Sequence, residues 1–70
     1  MEIVVKEFEK NGEIEKIEVH NLTLGLVAKF TYKATIYDLL RDWSMGSPMT
    51  ITYEKYVFDT IMLNKYVKLY

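Results

Sequence analysis

His20 is the one side chain whose ordinary pKa lies near neutrality, so general acid–base catalysis in this chain would have to recruit it. It falls at the end of a predicted strand, on the solvent side, with no nucleophile marked nearby, and reads as a surface histidine beside a turn. Asp38 and Asp42 stand four apart on a predicted helix and could share a divalent ion with Asp59 or Glu54. Hard cations need several oxygens in a tight loop, and no Asp-x-Asp-x-Asp-Gly pattern occurs, so the pair with Arg41 between them reads as ordinary helix charge. The absence of cysteine removes disulfides, thiolate zinc sites and thiol nucleophiles together. Gly25 and Gly46 are isolated and no phosphate-cradling motif is present, so no cofactor and no metal are expected.

The constellation with most to offer is the alternation of tyrosine and lysine in the last third: Tyr53, Lys55, Tyr56, Lys65, Tyr66, Lys68 and Tyr70. Aromatic planes beside cations can stack bases and neutralise phosphates, which would suit a small nucleic-acid-binding regulator. Tyrosine also brings an apolar body with a polar tip to protein interfaces, and the acidic N-terminal segment opposes a polyanion, so a protein partner is preferred. The expected partner-binding residues are Trp43, Tyr53, Tyr56, Tyr66, Lys68 and Tyr70. Trp43 with Met45 and Met49 reads first as core and second as an adaptable contact patch.

The elements that must carry these residues begin with a hairpin. Asn11-Gly12 supplies positive φ at both central positions of a type I′ turn, which predicts strands over about 2–10 and 13–20. A straight register sets Lys10 opposite Glu13 and Glu7 opposite Lys16, and places Val4, Phe8, Ile17 and Val19 on the core face. Residues 22–33 alternate as a half-buried strand, although Leu26, Val27, Phe30 and Ala34 also fit a helical stripe. The clearest helix runs from Thr35 to Ser44, with Thr35 as cap, Asp38 at its positive end and Ile36, Leu39, Leu40 and Trp43 on one face. Gly46 and Pro48 then stop it. Residues 49–70 favour strands, with a reversal near Asp59-Thr60 or Asn64-Lys65; a helix over 54–70 is the competing arrangement. The expected fold is α+β, a small antiparallel sheet of N-terminal hairpin and C-terminal strands packed by one helix near residues 35–44, in a single domain of residues 1–70.

At seventy residues, half of them hydrophobic and ten aromatic, the chain has more aromatic surface than so small a core encloses easily, which points to a homodimer. Residues 1–20 hold six Glu against three Lys, and the remainder six Lys or Arg against four Asp or Glu, an imbalance too mild for a DNA-binding field. No apolar run suits a membrane span and the first residues carry charge, so a cytoplasmic protein without membrane contact is expected. Ile, Lys, Tyr, Asn and Phe total 26 against 7 for Gly, Ala, Arg and Pro, the bias of an AT-rich genome such as that of a phage or plasmid. Together these features lead to a noncatalytic protein-binding module, an accessory or inhibitor protein acting by steric occlusion.

Overall fold

In the computed structural model, which describes residues 1–70, Asn11 and Gly12 both take positive φ, 55° and 78°, and close the hairpin between β1 (Glu2–Lys10) and β2 (Glu13–Asn21). The register starts as expected, with Lys10 opposite Glu13 and Glu9 opposite Ile14, and then slips by one residue. Phe8 pairs with Lys16, leaving Glu15 as the extra residue of a β-bulge. Because side chains alternate with period two, the slip exchanges the faces of everything beyond it. The expected core face of Val4, Phe8, Ile17 and Val19 is therefore corrected: Ile3 and Val5 join Ile17 and Val19 in the core, and Val4 and Phe8 turn to the opposite face. The physical reason is visible in the pairs. A straight ladder sets Ile3 against His20 and Val5 against Glu18, whereas the bulge sets Val5 against Val19 and Lys6 against Glu18. Four β-branched residues then share one dry face, and exposed Glu15 is the only residue left out of the ladder.

Of residues 22–33, only Leu26–Phe30 form a strand; the expected strand is shorter because residues 22–25 make a turn. Asn21, buried at the end of β2, accepts the Leu24 N–H on its side-chain oxygen at 2.9 Å, and its backbone carbonyl accepts the Gly25 N–H at 2.8 Å. This tight turn, with Gly25 at φ 71°, reverses the chain into β3 (Leu26–Phe30), antiparallel to β2. A short 3₁₀ turn (Lys33–Thr35) leads into α1 (Ile36–Ser44). Ile36 and Leu40 are buried on the sheet, and Leu39 and Trp43 pack beside them. Thr35 does not cap as expected: the 3₁₀ turn holds it in helical backbone geometry, and its hydroxyl donates back to the Tyr32 carbonyl at 2.9 Å. The helix ends on Met45 at φ 47°, one residue before Gly46.

The helix carries the chain back along the sheet, so β4 (Thr50–Asp59) starts at the same end as β1 and runs parallel to it. The α+β class stands, but the sheet is mixed instead of wholly antiparallel, because residues 31–49 are long enough for a crossover. A turn then leads to β5 (Lys65–Lys68), antiparallel to β4, giving the order β3-β2-β1-β4-β5; the competing C-terminal helix does not form. The reversal uses both expected positions. The Asp59 carboxylate accepts the N–H groups of Met62, Ile61 and Leu63 at 2.9, 3.0 and 3.4 Å, and Asn64 takes φ 50°. No helix is long and apolar enough to cross a membrane.

The observed register is testable through stability. Ile17→Ala should cost about 2–5 kcal/mol in urea unfolding, whereas Val4→Ala, on the uncovered face, should cost about 1 kcal/mol. Equal losses at the two positions would contradict the bulged ladder.

Candidate functional site

A nine-residue helix is about 14 Å long, and a nine-residue strand about 30 Å, so α1 covers only part of its side of the sheet. Past its N-terminal end the helix-side positions of β1 change from Ile3 and Val5 to Glu7 and Glu9, and a groove of about 310 Å³ opens there. Val5, Ile17 and Ile36 form its apolar base, and Tyr37, Tyr53 and Tyr70 rim it at 65, 58 and 65 % exposure. Tyr37 comes from the helix, Tyr53 from β4, and Tyr70 from the segment after β5, where backbone hydrogen bonds between Lys55 and both Leu69 and Tyr70 hold the chain against β4. Two ion pairs set the charge. The Lys33 ammonium lies 2.9 Å from the Glu7 carboxylate, and the Lys55 ammonium 3.0 Å from Glu9; each carboxylate holds its lysine above the ordinary lysine pKa. Both cations are thus already balanced, and the groove offers aromatic and apolar surface with no strong net field.

The opposite face of the sheet carries no covering element. Phe8, Tyr56, Phe58 and Tyr66 meet there across three strands: Phe8 stacks on Tyr56 with centroids 4.9 Å apart, and Tyr66 lies edge-on to Phe8 and to Phe58, 5.1 Å from each. Lysines close the cluster, Lys16 lying 4.7 Å from the Phe8 centroid and Lys10 4.6 Å from that of Phe58. Phe8 therefore has Tyr56 against it in a stack and an ammonium over its ring, so its π-face is spent within the molecule. Around the cluster the Tyr56 hydroxyl donates to Glu54 at 2.7 Å and the Lys68 ammonium lies 3.4 Å from the same carboxylate. Glu18 in turn holds His20 at 3.0 Å and Lys16 at 3.4 Å. Partial burial works to raise the Glu18 pKa, but the hydrogen bonds from His20 and Lys16 outweigh it and keep the carboxyl below its ordinary value.

The six expected partner-binding residues are thus divided. Tyr53 and Tyr70 come together at the groove; Tyr56, Tyr66 and Lys68 gather on the uncovered face; Trp43 packs half-buried against the core and joins neither. Sequence reasoning missed Tyr37, which lies outside the helical stripe of Ile36, Leu39, Leu40 and Trp43, and it missed Phe8 and Phe58 as surface aromatics, because their faces depend on the bulge and the strand register. The Asp38 carboxylate engages Arg41 at 3.0 Å, Asp59 orders a turn, and no three His, Cys, Asp or Glu side chains gather as a metal site. His20 has the Glu18 carboxylate as its side-chain partner, part of a charge row and not of a nucleophile–base pair.

Stability should respond to pH at both ends. The Tyr56 hydrogen bond to Glu54, and the backbone N–H groups of Met62, Ile61 and Leu63 at Asp59, hold these two carboxyls below their ordinary range, so the unfolded chain binds protons more readily. Their contribution is complete above about pH 5 and is lost as pH falls through the lower folded values. Tyr56 is shifted the other way, raised by Glu54, and its contribution is present below about pH 10 and lost as pH rises through the folded value. Urea midpoints across pH should therefore form a plateau with two falling limbs. Tyr56→Phe should flatten the alkaline limb, and Asp59→Asn should speed amide exchange at Ile61, Met62 and Leu63.

Comparison with protein-family models, curated proteins and solved structures finds no match to this chain.

Proposed function

We propose that this chain is a noncatalytic protein-binding module that seats a segment of a partner protein in the tyrosine-rimmed groove and acts by steric occlusion. The observation that carries this reading is the convergence of Tyr37, Tyr53 and Tyr70, all largely exposed, on an apolar base beside two neutralised lysines. Tyrosine supplies large contact area at low entropy cost, and a site with balanced charge favours a peptide segment of mixed character over a polyanion. The aromatic cluster on the other face supports the same preference against nucleic acid, since the Phe8 ring is engaged by Tyr56 and Lys16 and is not free to stack a base. An accessory or inhibitor role in a phage or plasmid setting, in the cytoplasm and as a homodimer, completes the proposal.

Partner capture from the cells that carry the protein, followed by titration, tests it. Tyr53→Ala and Tyr70→Ala should each weaken the complex about tenfold or more, as loss of an interface anchor does. Ile61→Ala, at an exposed position outside the groove, should bind as the wild type. Tyr56 and Tyr66 are poorer probes, because truncating either removes packing within the aromatic cluster. Wild-type affinity in both groove variants would show that the partner docks elsewhere, and a captured nucleic acid released steeply by salt would favour the regulator reading.

A further inference from the structure

The two edges of the sheet differ in a way that bears on self-association. An edge strand presents unpaired backbone groups, and proteins commonly blunt such edges with lysine. On β5 this is the case: full-overlap antiparallel pairing of Lys65–Lys68 with a second copy of itself sets Lys65 against Lys68 twice. On β3 it is not. Full-overlap pairing of Leu26–Phe30 about a two-fold axis through Ala28 sets Leu26 against Phe30, Ala28 against Ala28 and Val27 against Lys29, with no like charges opposed. Leu26 and Val27 are 47 and 54 % exposed, unusually apolar for a free edge, and Lys29 has no carboxylate within salt-bridge distance. The same symmetry carries Leu24 of one copy towards Tyr32 of the other, and these are 56 and 73 % exposed.

We infer that the β3 edge is the surface through which two copies of this chain pair, forming one continuous ten-stranded sheet with both helices on the same side. The occupant is a second copy because the strand is self-complementary in both polarity and charge. The inference rests on the homodimer named in the proposed function and gives it a surface; the groove proposed for the partner sits over β1 and β4, away from this edge, so a monomeric chain would overturn the dimer and leave the groove reading standing.

Charge exchange at one cross-strand pair tests the register. In sedimentation equilibrium of the full chain, Val27→Lys sets lysine against Lys29 twice and should weaken dimerisation about tenfold or more. Val27→Glu sets glutamate against Lys29 and should dimerise at least as well as the wild type. The double variant Val27→Lys with Lys29→Glu should recover the dimer. Amide exchange in the unmodified protein gives a reading independent of any variant: protection of residues 26–30 should rise with concentration. A wild-type chain that stays monomeric at about 1 mM, or equal self-affinity in the lysine and glutamate variants, overturns the inference.

Discussion

The structure depends on bringing Ile3, Val5, Ile17 and Val19 onto one face of a two-stranded ladder, where Ile36 and Leu40 can cover them. These six residues are the whole fully buried apolar core, so no alternative cluster could replace them. The Asn11-Gly12 turn alone would put Ile3 and Val5 on the wrong side of Ile17 and Val19. A single extra residue, Glu15, repairs the mismatch. Burial of β-branched side chains is worth several kcal/mol, whereas one exposed residue left out of a ladder near a hairpin tip costs little, and the balance favours the bulge.

Both surfaces available for binding follow from that arrangement. The helix is short and sits over the apolar end of the sheet, which leaves the charged end of β1 beside a groove. The bulge turns Val4 and Phe8 to the other face, where both are half-buried and Phe8 gathers Tyr56 and Tyr66 around it. That second cluster is largely self-sufficient: its rings contact one another and its lysines, and Glu54 and Glu18 bind their neighbours at 2.7–3.4 Å. The groove, by contrast, has its lysines paired while its tyrosines remain exposed. Surface whose polar groups are satisfied and whose aromatic groups are not is surface suited to a partner.

The same contrast separates the edges. β5 carries a lysine at each end, the usual device against edge pairing, while β3 carries one lysine among apolar residues. Asn21 makes this edge by folding the chain tightly enough for β3 to lie against β2. In a chain this small, a shared sheet edge would add the burial that six core residues supply sparingly.

Local chemistry was legible in the sequence wherever neighbouring residues decide the conformation. Asn11-Gly12 specified its turn, the spacing of Ile36, Leu39, Leu40 and Trp43 specified the helix face, and Asp59 and Asn64 marked the reversal between β4 and β5. The make-up of the groove and of the aromatic cluster was not legible. Which face Phe8 occupies depends on whether the ladder slips by one residue, and that is settled by the summed burial of four side chains on two strands. The direction of β4 depends on how far the helix returns the chain, and the meeting of Tyr37 with Tyr53 and Tyr70 depends on where that helix stops. The sequence by itself determined the Asn11-Gly12 turn, the reversal after β4, the helix and the supply of aromatic residues, because these rest on backbone preference and short-range periodicity, whereas the turn at Asn21 lay hidden in an alternating stretch. Only the tertiary structure decided which aromatics share a surface, because period-two alternation makes every strand's faces hostage to a single register choice made through distant contacts.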